Sequence, residues 1–301
     1  MQAIIFYLAL PFLYLLSLLP FPVFYLFSDF VYFMMYYVMG YRKEVVTANL
    51  KKSFPSKNDK EIRHIRKAFY HYLCDLFLET FKTLTITHSS ALKHCRLSPG
   101  SKALFEKYHS ERKSVIIVMG HFGNWEWAGN SFSMQCPQQL YVIYHPLTNK
   151  FFNGLIYRMR TRFGTKLIAM RDTYKDMVRL KDEVNATAFI ADQTPAPESA
   201  YWTTFLNQDT PVFLGTEKIA RKMNYPVVYA SVRRVKRGYY EIVAETLFEE
   251  PRLTKDGEIT EAHTRKLEQE IIAQPEIWLW SHRRWKHKRR QETGAGGNKG
   301  E

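Results

Sequence analysis

The sequence predicts an α/β protein with a mostly parallel central sheet flanked by helices, preceded by an N-terminal membrane helix and a short helical segment. Three observations carry this. From about residue 114 to 272, short apolar runs rich in β-branched residues alternate with helix-length segments, the pattern of parallel strands joined by crossover helices. Residues 1–41 hold a single charge, Asp29, and residues 3–27 hold none. The 301 residues are 46% apolar and 24% charged, which excludes intrinsic disorder and supplies one sizeable core.

The apolar stretch 3–27 exceeds the roughly 20 residues that cross a bilayer. A signal peptide fits poorly, because no basic n-region precedes the stretch and no Ala-x-Ala cleavage site follows it. Pro11, Pro20 and Pro22 kink or split a helix, so a tilted span and a shallow hairpin both stay open. After Asp29 the first charges are Arg42 and Lys43, then Lys51 and Lys52. The positive-inside tendency places the remaining chain in the cytoplasm. The mean hydropathy of −0.32 argues against a polytopic protein.

Residues 43–54 read as a short helix closed by Pro55. A second helix is expected over 58–82, with Asn58 as N-cap and Ile62, Ile65, Phe69, Tyr72, Leu76 and Phe81 at helical spacing. Ser-Pro-Gly-Ser at 98–101 reads as a linker. Strands are then expected at 114–119, 140–144, 166–170, 186–191, 227–232 and 239–244. Helices are expected over 125–132, over 150–162 with Phe163-Gly164 as C-cap, from an Asp172 cap towards 184, over 210–223 with Thr210 as N-cap and Pro211 at N1, and over 261–272. The organisation is an anchor at 1–41, a helical segment at 42–98 packing on the catalytic domain, an α/β domain at 99–290 and a disordered tail at 291–301.

Forty-three Lys and Arg against 29 Asp and Glu give a net charge of +14, which suits an anionic partner. The chain has no recognisable nucleic-acid reader motif. Cys74, Cys95 and Cys136 form no Cys-x-x-Cys pair, against a disulfide framework or a structural zinc site.

The most informative segment is Gly120-His121-Phe122-Gly123-Asn124-Trp125-Glu126-Trp127. It follows a buried strand, at the edge where α/β sheets place catalytic groups. Positions five apart on one helix lie about 140° from each other, so a contact between His121 and Glu126 needs the turn that Gly123 permits. Glu126 in the first turn after an Asn124 cap would then orient His121 as a general base. The plain alternative is a His that ends a strand and an acid that starts a helix. No Ser or Cys stands in a Gly-x-Ser-x-Gly turn, which favours direct attack by a substrate hydroxyl. His145 alone completes no metal set.

His-x4-Glu in the context GHFGNWEW resembles the catalytic motif of the lipid A biosynthesis acyltransferases. Asn49-Leu50 with Phe54-Pro55, Asp192-Gln193 at a strand end, and Pro275-Glu276-x-Trp278-Leu279-Trp280-x-His282-Arg283-Arg284-Trp285-Lys286 are similar to further elements of that family, in the same order. The resemblance implies transfer of a fatty acyl chain from acyl-carrier protein, with no cofactor and no metal, to a hydroxyl of a phosphorylated glucosamine lipid. It implies His121 as general base oriented by Glu126, a functional arginine at Arg158 or Arg160, and Asp192 orienting either the acceptor or that arginine. Gln193, Arg283 and Arg284 join the expected substrate-binding set. The basic cluster from Arg283 to Arg290, interleaved with tryptophans, suits an anionic membrane surface or a solvated tail. The implied location is the inner membrane of a bacterium with an outer membrane, the catalytic domain facing the cytoplasm. Two other readings stay open: the same chemistry on a phosphatidylinositol mannoside or an aminolipid, and a non-catalytic membrane-anchored lipid-binding protein.

Overall fold

The computed structural model describes residues 2–289; the expected tail at 291–301, and Arg290 of the basic cluster, lie outside them. The N-terminal chain forms α1 (Gln2–Leu18) and α2 (Phe21–Phe33), the latter continued by a π-helical stretch, Met34–Met39. The apolar run at 3–27 is therefore not one helix. Pro20 is extended, with φ −56° and ψ 145°, and the helix restarts with a proline in its first turn. Pro11, by contrast, lies inside α1. The continuous stretch Phe21–Met39 is long and apolar enough to cross a membrane.

Next come α3 (Lys43–Ser53) and the long α4 (Asp59–Lys82). Asn58 starts α4 as expected: its side chain accepts the Lys60 and Glu61 N–H groups, and the Glu61 carboxylate accepts the Asn58 N–H. Then follow α5 (His88–His94), β1 (Cys95–Leu97) and α6 (Pro99–Ser110). Residues 98–101 are therefore not a linker. Ser98 accepts the Ser101 N–H at 3.2 Å and Pro99 occupies the first helical position, so this cluster begins α6.

The alternating part comprises β2 (Val115–Met119), α7 (Trp125–Gln135), β3 (Gln139–Tyr144), α8 (Lys150–Thr161), β4 (Lys166–Ala169), α9 (Thr173–Arg179) and β5 (Asn185–Ile190). α9 is shorter than expected, and Asp172 makes no capping bond; its carboxylate lies beside Arg171. The expected helix opening at Thr210-Pro211 is a strand. An antiparallel hairpin of β6 (Ala200–Phe205) and β7 (Gln208–Phe213) places Pro211 opposite Trp202, and α10 (Gly215–Met223) begins only afterwards. A two-stranded ribbon tolerates a residue without an N–H at its edge. β8 (Val227–Lys236), β9 (Tyr239–Phe248) and α11 (Glu258–Ala273) complete the chain.

Seven strands form one sheet in the order β1-β9-β8-β2-β5-β3-β4, parallel except for the antiparallel β8–β9 pair. Strand periodicity sorts the core. Val115 and Ile117 join the cluster that contains Phe105 of α6 and Phe132 of α7. Ile116 and Val118 face Met177 of α9, Ala220 of α10 and Ile259 of α11. In a third core Leu50 of α3, Phe54 just after it, and Phe69 and Tyr72 of α4 pack with Tyr229 of β8 and with Trp278 and Trp280 of the C-terminal segment.

Candidate active site

β2 and β5 are parallel neighbours with Met119 opposite Ile190. The residues two positions further on, His121 and Asp192, therefore leave the sheet side by side at its carboxyl edge. Asp192 Oδ1 lies 2.6 Å from His121 Nδ1, while Oδ2 accepts the His121 backbone N–H at 2.9 Å and the Trp278 indole N–H at 2.8 Å. Burial alone would raise the Asp192 pKa. The His121 charge, the two His121 contacts and the Trp278 N–H outweigh it and hold the group well below the carboxylate range. An ionised carboxylate only accepts, so Nδ1 carries a proton and Nε2 is the basic atom. The His121 ring lies edge-on to Trp125, and Gln193 Nε2 is 3.4 Å from His121 Nε2.

Glu126 is in the first turn of α7, where Asn124 caps the helix by accepting the Trp127 N–H. Its carboxylate is taken by Arg160 of α8, which donates Nε–H to Oε2 at 2.8 Å and a terminal N–H to Oε1. The expectation that Glu126 orients His121 is corrected: Asp192 holds the imidazole, and Glu126 and Arg160 form a separate forked pair in the same cleft. Arg158, two residues away on α8, is exposed.

The turn between His121 and Glu126 is clamped on three sides. Gly123 has φ +62°, and a Cβ there would lie 1.8 Å from the Val232 carbonyl oxygen; this position requires glycine. Tyr72 of α4 donates its hydroxyl to the Gly123 carbonyl at 2.7 Å. The C-terminal segment runs beneath: Gly123 N–H bonds the Ile277 carbonyl, and Leu279 N–H bonds the His121 carbonyl. Asn49 of α3 donates to the carbonyls of Trp280 and His282. The three separate sequence motifs thus meet in space, α3 bracing the C-terminal block and that block bracing the turn.

Glu79 of α4 is wholly buried behind the turn. It accepts from Asn124 Nδ2 at 2.7 Å, Tyr240 OH at 2.8 Å and Tyr25 OH at 2.7 Å. Burial and then the Asp75 charge push its pKa up to about 7, against the pull of those three donors. A raised carboxyl pKa stabilises the fold fully below the ordinary glutamate value of about 4.3, and this contribution is lost as pH rises through the folded value. Glu79→Gln is therefore expected to flatten the fall in melting temperature between about pH 5 and pH 8, measured by thermal unfolding across that range. An unchanged pH slope would refute the assignment.

Arg284 does not reach the cleft. It is 2% exposed and lines a small cavity behind Asp192 with His263 and Leu267. Burial lowers its pKa to about 10, and the Asp192 charge opposes that shift. The expectation that it binds substrate is corrected to a buried cation facing the back of the Asp192 carboxylate. Arg283 and Lys286 remain exposed. Among the described residues no group of three or more His, Cys, Asp or Glu is placed to hold a metal ion.

The cleft has a volume of about 330 Å³; His121, Trp125, Glu126, Tyr144, Arg160 and Gln193 are among the residues that line it. Trp125, Gly129, Val142 and Ile190 also border a smaller apolar recess of about 50 Å³, lined by Phe105, Phe132 and Ile242 among others. A Cβ on Gly129 would meet the Leu140 side chain at 3.9 Å and the Thr165 hydroxyl at 4.0 Å, ordinary van der Waals contact. A polar reacting end beside an apolar recess suits a ligand with a hydrocarbon tail.

Comparison with known proteins agrees with this arrangement. The sequence profile of the family described as bacterial lipid A biosynthesis acyltransferase matches residues 1–287. Among curated proteins, the lipid A biosynthesis lauroyltransferase of Escherichia coli (strain K12) is 23% identical over 286 residues, covering 91% of this chain and 89% of that protein.

Proposed function

The chain belongs to the family of bacterial lipid A biosynthesis acyltransferases, and on that premise we propose that it moves a fatty acyl group from the thioester of acyl-carrier protein to a hydroxyl of a phosphorylated glucosamine lipid at the cytoplasmic face of the inner membrane. The observation that carries this reading is the His121–Asp192 pair beside a cleft that shares Trp125, Gly129, Val142 and Ile190 with an apolar recess.

In the proposed reaction His121 Nε2 takes the proton of the acceptor hydroxyl as its oxygen bonds to the thioester carbonyl carbon. Asp192 keeps the other ring proton in place and stabilises the imidazolium that forms. The tetrahedral intermediate collapses with cleavage of the C–S bond, and the departing thiolate takes the proton back from His121. The Gln193 amide, already at the basic nitrogen, is the side chain placed to donate to the intermediate's oxyanion. The backbone N–H groups of His121 and Gly123 are already committed to Asp192 and Ile277. The Glu126–Arg160 pair fixes the cleft wall, and the hydrocarbon chain extends past Gly129. Exposed Arg158 and Arg283 supply positive charge for the acceptor phosphates and the acidic carrier.

Mass spectrometry of a lipid A precursor, incubated with membranes containing this protein and carrier protein loaded with mixed acyl chains, tests the reading. A mass gain of one acyl group is expected, and its size reports whether laurate, as in the name of the relative, is also used here. No gain in membranes that contain folded protein would refute it.

A further inference from the structure

At 1.5 Å per residue the 17 residues of α1 come to about 26 Å and the 19 residues of Phe21–Met39 to about 28 Å, against a hydrocarbon core of about 30 Å; Phe21–Met39 is long and apolar enough to cross a bilayer, and α1 is shorter. Their packing argues against crossing. α2 runs antiparallel along α4 and touches it at successive turns through polar groups. Tyr25 donates to Glu79, Ser28 donates to Asp75, Tyr32 stacks on His71, and Tyr36 accepts from Arg66. Asp29, midway along α2, is paired with Arg237 at the β8–β9 turn, and Arg237 also holds Asp75. α1 is fastened at its end by Lys82 and Thr85, which donate to the Ser17 carbonyl. A bilayer-crossing α2 would have to break these contacts or carry the charges of α4 into hydrocarbon, where an ionised side chain is costly.

The opposite faces are bare and apolar. Ile4, Leu8, Phe12 and Leu15 of α1 are 54–74% exposed, and Leu26, Phe30, Phe33 and Tyr37 of α2 are 52–70% exposed, each set at helical spacing. Exposed Lys67 stands 6.0 Å from the Tyr37 ring, a basic group beside the apolar face. The face continues to the cleft: Phe6 of α1 stacks on Phe151 of α8, and exposed Leu147 and Tyr157, before and within α8, line the cleft mouth.

We propose that α1 and α2 lie in the plane of one leaflet of an acidic phospholipid bilayer without crossing it, so that the cleft opens at the level of the headgroups. This is the geometry of an interfacial anchor, with apolar side chains sunk into the acyl boundary and basic groups at the phosphates. A lipid acceptor then enters sideways without leaving its leaflet. The inference rests on the membrane setting proposed above and not on the role of His121.

The test uses the full chain in sealed membrane vesicles, with single cysteines introduced as Gln2→Cys, Leu18→Cys and Ser110→Cys and read with a membrane-impermeant maleimide. The unsubstituted protein, whose Cys74 and Cys95 are buried, gives the background. Gln2→Cys is expected to react from the same side as Ser110→Cys, and Leu18→Cys never from the other side. Reaction of Gln2→Cys from the side opposite Ser110→Cys means a single span, and reaction of Leu18→Cys from that opposite side means a spanning hairpin. Either result overturns the proposal. Flotation of purified protein with vesicles rich in phosphatidylglycerol is expected to fall at least tenfold in Leu26→Glu/Phe30→Glu. Unchanged flotation, or a dimer that hides this face and does not float, also overturns it. Acyl transfer to detergent-dispersed lipid by the unsubstituted protein reports the reaction independently of topology.

Discussion

Replacement of His121 by Ala is expected to cut the rate of acyl transfer by about 10²–10⁴-fold, with little change in the KM for the acyl donor. The imidazole lies at the cleft mouth with a side-chain exposure of 16%, so its loss opens little core. What disappears is His121 Nε2, the nitrogen to which the proposed mechanism assigns the hydroxyl proton. The recess that would hold the acyl chain has its own walls, Phe105, Phe132 and Ile242 among them, and these do not depend on His121. The separation of kcat from KM is therefore diagnostic. A parallel rise in KM would assign His121 to binding, and retained kcat would remove it from the centre of the mechanism.

Asp192→Asn carries the second large effect, a loss of about 10³–10⁴ in kcat together with reduced stability. Asp192 Oδ2 accepts two N–H groups, from the His121 backbone and Trp278, while Oδ1 faces His121 Nδ1. An Asn oxygen can replace Oδ2, but its NH₂ then points at Nδ1 and forces the imidazole proton onto Nε2. The atom facing the cleft becomes a donor and can no longer take a proton. The substitution also leaves the buried Arg284 guanidinium without the opposing charge behind which it sits. The depressed Asp192 pKa stabilises the fold above the ordinary aspartate value of about 3.9, and that stability is lost as pH falls towards the folded value. The Asn variant lacks this contribution, so its stability is expected to depend less on pH below about pH 4 than that of the unsubstituted protein. Wild-type turnover in the variant, or an identical acid-unfolding profile, would contradict this account.

Much of the frame was legible because local chemistry and global fold agree. Asn58 and Glu61 are neighbours in sequence and cap α4 by themselves. The run at 114–119 is apolar on both faces because both are covered. Sequence pattern and fold part where one local signal serves two structures. Ser98-Pro99 suits a linker and a helix start equally, and here starts α6. Thr210-Pro211 has the chemistry of a helix cap but lies in a hairpin, whose partner strand sets its conformation. At the site, His121 and Asp192 were both marked by polarity just past buried strands. Their pairing spans 71 positions and follows only from the adjacency of β2 and β5. Glu126 stands close to His121 in sequence, whereas its partner Arg160 is 34 positions away. Arg284 reads as one of a solvated basic run, and only the fold turns it inward.

The contact of Tyr25 with Glu79, and of Glu79 with Asn124, places an N-terminal residue two hydrogen bonds from the helix cap beneath the catalytic turn. The first forty residues are accordingly not an interchangeable tether. Cutting them away to obtain a soluble fragment, or exchanging them for another protein's membrane tag, strips a hydroxyl from a buried acid and uncovers Asp75 beside it. The residues of the proposed anchor therefore also support the His121 turn, and a change made to one is expected to disturb the other.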